Sequence, residues 1–527
     1  MNPEEIEKKQ KRVMIYVMIV SLICVVGVSY AFFTAGMSSE TSTTVRADAG
    51  TMKITYNGGA NINLAGIYPK DDVWATKTIT VTGNNTTDAE MYYKLTLVVD
   101  SNTFKTDDPL QYELVSTNTS TNGEIIPNIS KTDITGTSIE LGSGHFVKAN
   151  NAKHTYLLKI YYPKKTTSQN ANQGAAFSAH VEITSAKAPK TNGKLSELVL
   201  YNNEVKTPIT APGKEVSTAS EALLASTPDD YGTSYYFRGA VKNNYVEFAK
   251  KCWRIVRVGG DSSVKLILHN DNPTGVANPC DAANNSEDAA FARYSGTTYK
   301  SAFNTNTDDN AYVGFMYGTP GSSTYADTHA NTNKSTILTN LETWYNNNLK
   351  TYESAIDDTI WCNDKTNVTD TTYKPLWADV NGLGLGYGKN VTYYGATKRL
   401  VSTSDSAGGT GPSLKCNGEL SKINSKVGLI TADELAFAGY AYNIRNTVTY
   451  LKENTSGEWW SLSPSDYISI YANVWTVESY GTYFTTGLGG RGGRGVHDSC
   501  GVRPLISLKS TTNVTGNGSS DKPYKVV

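Results

Sequence analysis

Hydrophobic and polar residues alternate with a period of two in the first third of the chain. Alternate positions of residues 93–99, 156–162 and 177–183 are apolar, so their apolar side chains fall on one face of an extended strand. Turn-forming residues, such as Asn-Gly-Gly at 57–59, separate these runs. Many short alternating strands joined by polar turns predict an antiparallel β-sandwich over residues 35–186.

The pattern changes twice further along the chain. Residues 187–232 hold Pro and Gly clusters and little apolar periodicity, which predicts a linker. Beyond it, strand-like runs and two helical patterns predict an α+β domain over residues 233–510, followed by a C-terminal tail at 511–527. One helix is expected at 335–349, and the other begins at the Thr431–Glu434 capping box. The expected fold class is mainly β with an α+β head.

The N-terminus predicts export. Four basic residues between Lys8 and Arg12 precede an apolar segment, 13–34, that is long enough to cross a bilayer. The basic flank predicts a cytoplasmic tail, residues 1–12, with everything after about residue 35 extracellular. A cleaved signal is the alternative, because Ser29-Tyr30-Ala31 resembles a signal peptidase site. The predicted location is the cell membrane with a single span, or secretion if the chain is cleaved after Ala31.

Composition supports an extracellular β-rich protein and excludes one class of partner. The 527 residues include 34 Tyr and 45 Gly, and only 18% are charged. The formal net charge is −1, which provides no field for a phosphate backbone. Nucleic-acid binding is therefore not expected.

Five cysteines follow the predicted sandwich, and an exported chain can oxidise them. Sequence alone leaves several pairings open. Positions along the predicted hairpin and loop predict disulfides Cys252–Cys280 and Cys362–Cys416, which leaves Cys500 outside both.

Residues 25–186 resemble a family of bacterial surface proteins. Ser29–Thr34, the strand Gly50–Ile54 and the run Ile79–Asn85 are similar to the TasA/camelysin-type proteins of Gram-positive bacteria. The resemblance implies a jelly-roll-like β-sandwich and assembly into extracellular fibres.

Residues 233–527 resemble a second family. Two helices among short strands, the Trp459-Trp460 pair and the terminal Gly501–Pro504 motif are similar to the C-type-lectin-like fold of formylglycine-generating enzymes and bacterial surface proteins. The tail 516–524 resembles the endings of Firmicutes surface proteins of this type. The resemblance implies a fold and says little about a ligand.

Sequence motifs offer little support for catalysis or metal binding. The Glu-Pro-Asn or Gln-Pro-Asp and Trp-Asn-Asp tripeptides of calcium-dependent lectins are missing from the sequence. Formylglycine-generating enzymes need two reactive cysteines at a copper site, and only Cys500 lies in the corresponding terminal region of this chain. His497 and Cys500 are near neighbours, but a loop or disulfide cysteine is favoured over a catalytic pair. His145, His154 and His180 are expected to be solvated strand residues. No catalytic residue, metal or cofactor is expected.

A binding surface is predicted in the loops of residues 465–500, where aromatic residues and arginines lie among Gly and Ser. Such residues give rigid contact area and adaptable hydrogen bonds. The candidate ligand-binding residues are Tyr467, Tyr471, Tyr480, Tyr483, Arg491 and Arg494; the alternative is that part of this set packs in the core.

The expected function is therefore a membrane-anchored surface protein with a lectin-like adhesion head and no catalysis. Its expected partners are the cytoplasmic membrane and a protein or glycan ligand. The alternative is a structural subunit of an extracellular matrix or fibre that self-assembles through the β-sandwich.

Overall fold

The computed structural model describes most of the chain after residue 51. The described residues are 52–85, 90–118, 122–186, 189–373, 375, 384–468, 470–478, 483–485 and 495–527. The predicted tail 1–12 and membrane segment 13–34 lie outside them. Among the described helices, none has the length and apolar character needed to span a bilayer. The chain divides into two compact units, Met1–Ala188 and Pro189–Val527.

The first unit is built from antiparallel strands. They are β1 (Met52–Asn57), β2 (Ile62–Ala65), β3 (Lys70–Asn85), β4 (Met91–Asn102), β5 (Gln111–Ser116), β6 (Ile129–Asp133), β7 (Ser138–Phe146), β8 (Ala149–Tyr162) and β9 (Ala176–Ser185). One sheet has the order β1-β3-β8-β5-β6 and the other β2-β9-β4-β7. The predicted mainly β, antiparallel character is confirmed.

Alternation along these strands forms one shared core. Tyr93, Leu95 and Leu97 on β4 are fully buried, as is Leu158 on β8, while the residues between them are more exposed. His154 is also fully buried, and its Nδ1 lies 2.7 Å from the Tyr93 hydroxyl. The expectation of a solvated His154 is therefore wrong, because it lies on the core face of β8 beside buried aromatic rings. His145 is also buried, so the same expectation is wrong for it.

The second unit mixes strands with short helices. Its described helices are α1 (Leu195–Asn202), α2 (Tyr325–His329), α3 (Thr336–Asn348), α4 (Gly395–Leu400) and α5 (Ala432–Ala438). Its described strands are β10 (Asn192–Lys194), β11 (Ala222–Pro228), β12 (Thr233–Gly239), β13 (Tyr245–Phe248), β14 (Lys251–Val258), β15 (Val264–Asn270), β16 (Lys300–Ser301), β17 (Met316–Tyr317), β18 (Asn333–Lys334), β19 (Thr359–Cys362), β20 (Thr392–Tyr393), β21 (Lys422–Ser425), β22 (Trp459–Ile468), β23 (Tyr471–Glu478), β24 (Tyr483–Thr485), β25 (Cys500–Gly501), β26 (Leu505–Leu508), β27 (Asn513–Thr515) and β28 (Tyr524–Val526).

Two large sheets organise this unit. The first has the order β10-β27-β28-β13-β14-β12-β11, and β15 joins it by pairing with β14 and with β26. The second has the order β16-β25-β22-β23-β24, with β20 also paired to β22. Trp459 and Trp460 on β22 are fully buried in the core of this unit.

The predicted linker and tail are wrong, because both segments belong to the first of these sheets. In 187–232, α1 buries Leu195, Leu198 and Val199 in the core. β10 pairs with β27, so Gly193 lies opposite Val514 of the predicted tail 511–527. Both segments pair with distant parts of the chain in this sheet, since β10 pairs with β27 and β28 pairs with β13.

Helix boundaries follow their caps. The Ser335 side chain accepts a hydrogen bond from the Leu338 amide at the start of α3. Thr431 and Glu434 form the predicted capping box of α5, and Gly439 ends that helix with a φ of 123°, which a side chain would strain. Both helix predictions are confirmed.

Both predicted disulfides are confirmed. Cys252 is bonded to Cys280 and Cys362 to Cys416. Cys500 lies buried outside both disulfides.

Candidate functional site

The structure tests only part of the predicted binding surface. Tyr467 is fully buried on β22 and its hydroxyl donates a 3.0 Å hydrogen bond to the Asp308 carbonyl, so its assignment to a ligand surface is wrong. Every residue of β22 is buried, so both faces of this strand are covered. The side chains of Tyr480, Tyr483, Arg491 and Arg494 lie outside the described residues, although the backbone of Tyr483 begins β24.

Tyr471 is the one predicted residue whose ring is seen at the surface. It is 41% exposed and stacks on His497, with ring centroids 5.8 Å apart. Ile470 beside it is also exposed. This Tyr471–His497 pair is a small aromatic surface.

A groove in the second unit has more of the features of a binding site. Two adjoining cavities of about 240 and 60 Å³ share five lining residues: Asp229, Tyr231, Arg257, Lys265 and Ile360. We call this the charged groove, because ionisable side chains dominate its lining. Binding sites are commonly concave, with a few well-placed polar groups.

A row of polar side chains crosses adjacent strands at the floor of the groove. Arg257 on β14 lies opposite Lys265 on β15, and Lys265 lies opposite Ser507 on β26. Directly opposite residues share a face of the sheet, so all three side chains point the same way. Lys265 and Ser507 are buried, and Arg257 is partly exposed.

Glu434 neutralises the two cations of this row. Its Oε1 accepts hydrogen bonds from Lys265 Nζ at 2.7 Å and from Arg257 Nε at 3.0 Å. Its Oε2 accepts from the Thr431 amide, so the capping box of α5 fixes the carboxylate. Burial raises the Glu434 pKa, but Lys265 and Arg257 outweigh burial and lower it to about 2. Burial lowers the Lys265 pKa, and Glu434 offsets part of that effect.

A second ion-pair cluster lies in the larger cavity. Arg399 on α4 donates from Nε and Nη2 to both oxygens of Asp433, at 2.7 and 2.8 Å. Its Nη1 donates to Asp364 at 2.7 Å. Burial lowers the Arg399 pKa, yet the two carboxylates outweigh it and raise the pKa above its usual value. This fork geometry fixes three side chains in the wall of the groove.

Tyr231 stands at the opening, at the tip of the β11–β12 hairpin. Its amide donates to Asp229 Oδ1 at 2.8 Å, and Asp229 Oδ2 accepts from the Gly260 amide of the neighbouring turn. A Cβ on Gly260 would lie 2.5 Å from the Gly232 nitrogen, so glycine is needed where the two turns meet. Tyr231 is 58% exposed.

The disulfide Cys362–Cys416 also lines the groove. Both cysteines line the larger cavity, and the Cys416 amide donates to Asp230 Oδ2 at 3.0 Å. The cross-link therefore ties the 413–416 loop to β19 next to the Tyr231 turn. A wall fixed in this way loses little conformational freedom when a ligand binds.

The groove is suited to binding rather than proton transfer. Each of the groove's ion-paired carboxylates faces a cation: Asp229, Asp364, Asp433 and Glu434. A general acid needs a raised pKa, whereas the pKa of Glu434 is low. Among the residues that the structure describes, His, Cys, Asp and Glu side chains form no group of three or more able to hold a metal ion.

Sequence reasoning missed the charged groove. Glu434 is 169 positions from Lys265 in the chain, and Arg257, Lys265 and Glu434 were each only part of a strand or a helix cap. One usable signal was present: Asp229-Asp230-Tyr231-Gly232 is a polar turn carrying a single aromatic residue. Residues on such loops are frequent in binding sites.

Comparison with known proteins finds no match, so any functional conclusion has to rest on the geometry of the charged groove. No model of a known protein family matches this chain, and no curated protein sequence is significantly similar to it.

Proposed function

We propose that this chain is an exported, membrane-anchored surface protein whose second unit binds a ligand in the charged groove without catalysing a reaction. Support for export comes from the basic cluster before the apolar segment 13–34 and from the two disulfides, which persist in oxidising compartments. The resemblance to a C-type-lectin-like head agrees with a binding role.

The observation that carries the proposal is the pairing of an exposed ring with a fixed polar floor. Tyr231 lines both cavities of the groove, and Arg257 and Lys265 below it are held by Glu434. Tyrosine at an interface supplies large, rigid contact area, and truncating such an anchor costs about 2 kcal/mol or more of binding energy. A groove already in its bound arrangement avoids part of the entropy cost of association.

A matched pair of tyrosine variants tests this proposal. The full-length chain in detergent is applied to arrays of glycans and of extracellular proteins, as wild type, Tyr231→Ala and Tyr471→Ala. Both rings are substantially exposed, so both variants are expected to keep stability within about 0.5 kcal/mol. We expect Tyr231→Ala to weaken binding to array spots about thirtyfold or more and Tyr471→Ala to leave it unchanged.

The reverse result would move the site to the Tyr471–His497 surface and overturn the groove as the binding site. Equal binding by all three proteins would also count against it.

Fibre formation by the first unit is a separate proposal that follows from the TasA/camelysin resemblance. Its β-sandwich has the edge strands β1 and β6 in one sheet and β2 and β7 in the other. Strand addition at an edge is a common route to assembly. Electron microscopy of the purified full-length chain, with fibres expected, tests it independently of the groove.

A further inference from the structure

We propose that the ligand of the charged groove is an oligosaccharide without acidic substituents, bound without a metal ion and hydrogen-bonded by Ser507 Oγ and Arg257 Nη2. This inference rests on the proposed binding function and adds the chemical class of the ligand. It is carried by the charge of the lining, by unused hydrogen-bonding groups and by the position of Tyr231.

The charge of the groove excludes polyanions. Eight carboxylates and five cations line the two cavities, so carboxylates exceed cations by three. Asp261, Asp357 and Asp358 all lie in the smaller cavity. An acidic ligand there would meet unfavourable like charges, whereas a neutral or amine-bearing ligand would not.

Few aliphatic side chains line the charged groove. Ile360 and Leu414 are the aliphatic residues among those lining the two cavities. A lipid or an apolar peptide gains binding energy by burying apolar surface, at roughly 25 cal/mol per Å². This groove offers little such surface, and its polar floor matches a ligand rich in hydroxyl groups.

Ser507 supplies an unused hydrogen-bonding group at the floor. It is 1% exposed, and its Oγ has no hydrogen-bond partner among the described residues. A buried hydroxyl without a partner costs roughly 1–3 kcal/mol. A sugar hydroxyl both donates and accepts, so it satisfies Ser507 whichever way the serine proton points.

Arg257 supplies a second unused group. Its Nε binds Glu434, and its Nη1 binds Asp229 and Ser234. Within the described part of the chain, its Nη2 has no hydrogen-bond partner. Because Glu434 and Asp229 already neutralise the guanidinium, Nη2 is a donor for a neutral acceptor rather than for an anion.

Tyr231 completes a site of the right shape. Its ring lines both cavities, and its hydroxyl makes no hydrogen bond to any residue that the structure describes. The apolar C–H face of a pyranose packs on an exposed aromatic ring while its hydroxyls reach polar groups around the ring. The two cavities together reach the lower end of the range of about 300–1,000 Å³ typical of ligand sites, so a short oligosaccharide fits better than a large domain.

Binding of defined oligosaccharides to the full-length chain tests the ligand class. The probes are neutral, amino, uronic and sulfated oligosaccharides on one array, with tetralysine as a charged peptide comparison. We expect binding to neutral or amino oligosaccharides that EDTA does not change and that varies less than twofold between 50 and 500 mM NaCl. Preferential binding of sulfated or uronic probes, or of tetralysine, would overturn the inference.

Ser507→Ala tests the site with a matched control. The change removes a hydroxyl that has no partner in the free protein, so stability should be kept while affinity for the bound oligosaccharide falls about tenfold. Thr512→Val is the control, because Thr512 Oγ1 is also buried without a partner among the described residues but does not line either cavity. Thr512→Val should leave affinity unchanged.

The two proposals fail differently. If Tyr231→Ala abolishes binding to a protein on the array and no oligosaccharide binds, the binding function stands and the ligand class is wrong. Unchanged oligosaccharide affinity in Ser507→Ala also shows the inference to be wrong. If Tyr231→Ala changes nothing on either array, the proposed binding site itself fails.

Discussion

Nζ of Lys265 lies 2.7 Å from Oε1 of Glu434, although the two residues are 169 positions apart in the chain. Both side chains are buried, and Arg257 binds the same carboxylate oxygen. The pair joins the central sheet of the second unit to the first turn of α5, so it fixes the floor of the charged groove and the packing of that helix together.

Glu434→Gln should destabilise the second unit by about 3–5 kcal/mol, because it leaves buried Lys265 without its carboxylate. Glutamine can still form a capping box, so the loss of stability measures the effect of the missing charge rather than of a missing helix cap. Urea denaturation at pH 7 measures the free energy of unfolding. Glu419→Gln is the control, because Glu419 pairs with Lys422 while 85% exposed, and we expect a change below about 0.5 kcal/mol.

A rescue variant separates the lost ion pair from other effects. Lys265→Met combined with Glu434→Gln removes both charges and should recover much of the lost stability. If the double variant is as unstable as Glu434→Gln, the uncompensated lysine is not the cause.

The second unit should lose stability in acid through His329. Burial, and then the nearby Lys365, lower the His329 pKa to about 3. The unfolded state therefore binds a proton below about pH 6.5 that the folded state does not, so stability falls as the pH drops from 6.5 towards 3. His329→Phe should reduce this slope by about 1.4 kcal/mol per pH unit.

Tryptophan fluorescence in urea between pH 4.5 and 7.5 measures this slope, because seven of the eight tryptophans follow residue 189. His497→Phe is the control, since His497 is partly exposed. An unchanged slope in His329→Phe would refute the assignment.

Asp466 should have the opposite pH dependence. Burial raises its pKa to about 6, although Ser465 and Asn473 donate hydrogen bonds to it. The folded state thus favours the protonated form, and stability is lost as the pH rises through about 6. Asp466→Asn should stabilise the second unit by roughly 1–3 kcal/mol at pH 7.5 and by much less at pH 4.5.

The same urea denaturation at both pH values measures this effect, with exposed Asp521→Asn expected to change nothing. Destabilisation by Asp466→Asn at pH 7.5 would show that the carboxylate is needed in its charged form.

Loss of the disulfide Cys362–Cys416 should weaken both stability and the groove. The bond closes a loop with a sequence separation of 54, worth about 4 kcal/mol in the chain-entropy model. The double variant Cys362→Ser/Cys416→Ser should therefore unfold at lower urea concentration and expose the 413–416 loop to proteases. Cys252→Ser/Cys280→Ser is the comparison: it should lose similar stability without new cleavage near residue 415.

Local features of this protein were fixed by its sequence. Period-two alternation placed β4, β8 and β9, because side chains on a strand alternate between core and solvent. The capping box at Thr431 set the start of α5 because its hydrogen bonds span only three residues. Both disulfide pairings followed from cysteines near in sequence to a hairpin or a loop.

Tertiary structure decided what depends on distant partners. Residues 189–202 and 513–526 had no pattern strong enough to predict, since their place in the sheet depends on the distant pairings β10–β27 and β13–β28. Tyr467 was assigned to the surface because neighbouring Gly and Ser residues suggested a loop, yet β22 turns its ring into the core. The charged groove is assembled from β14, β15, β19, β21, β22, β26, α4, α5 and several loops. Its ion pairs depend on distances of a few ångströms that only the folded chain sets.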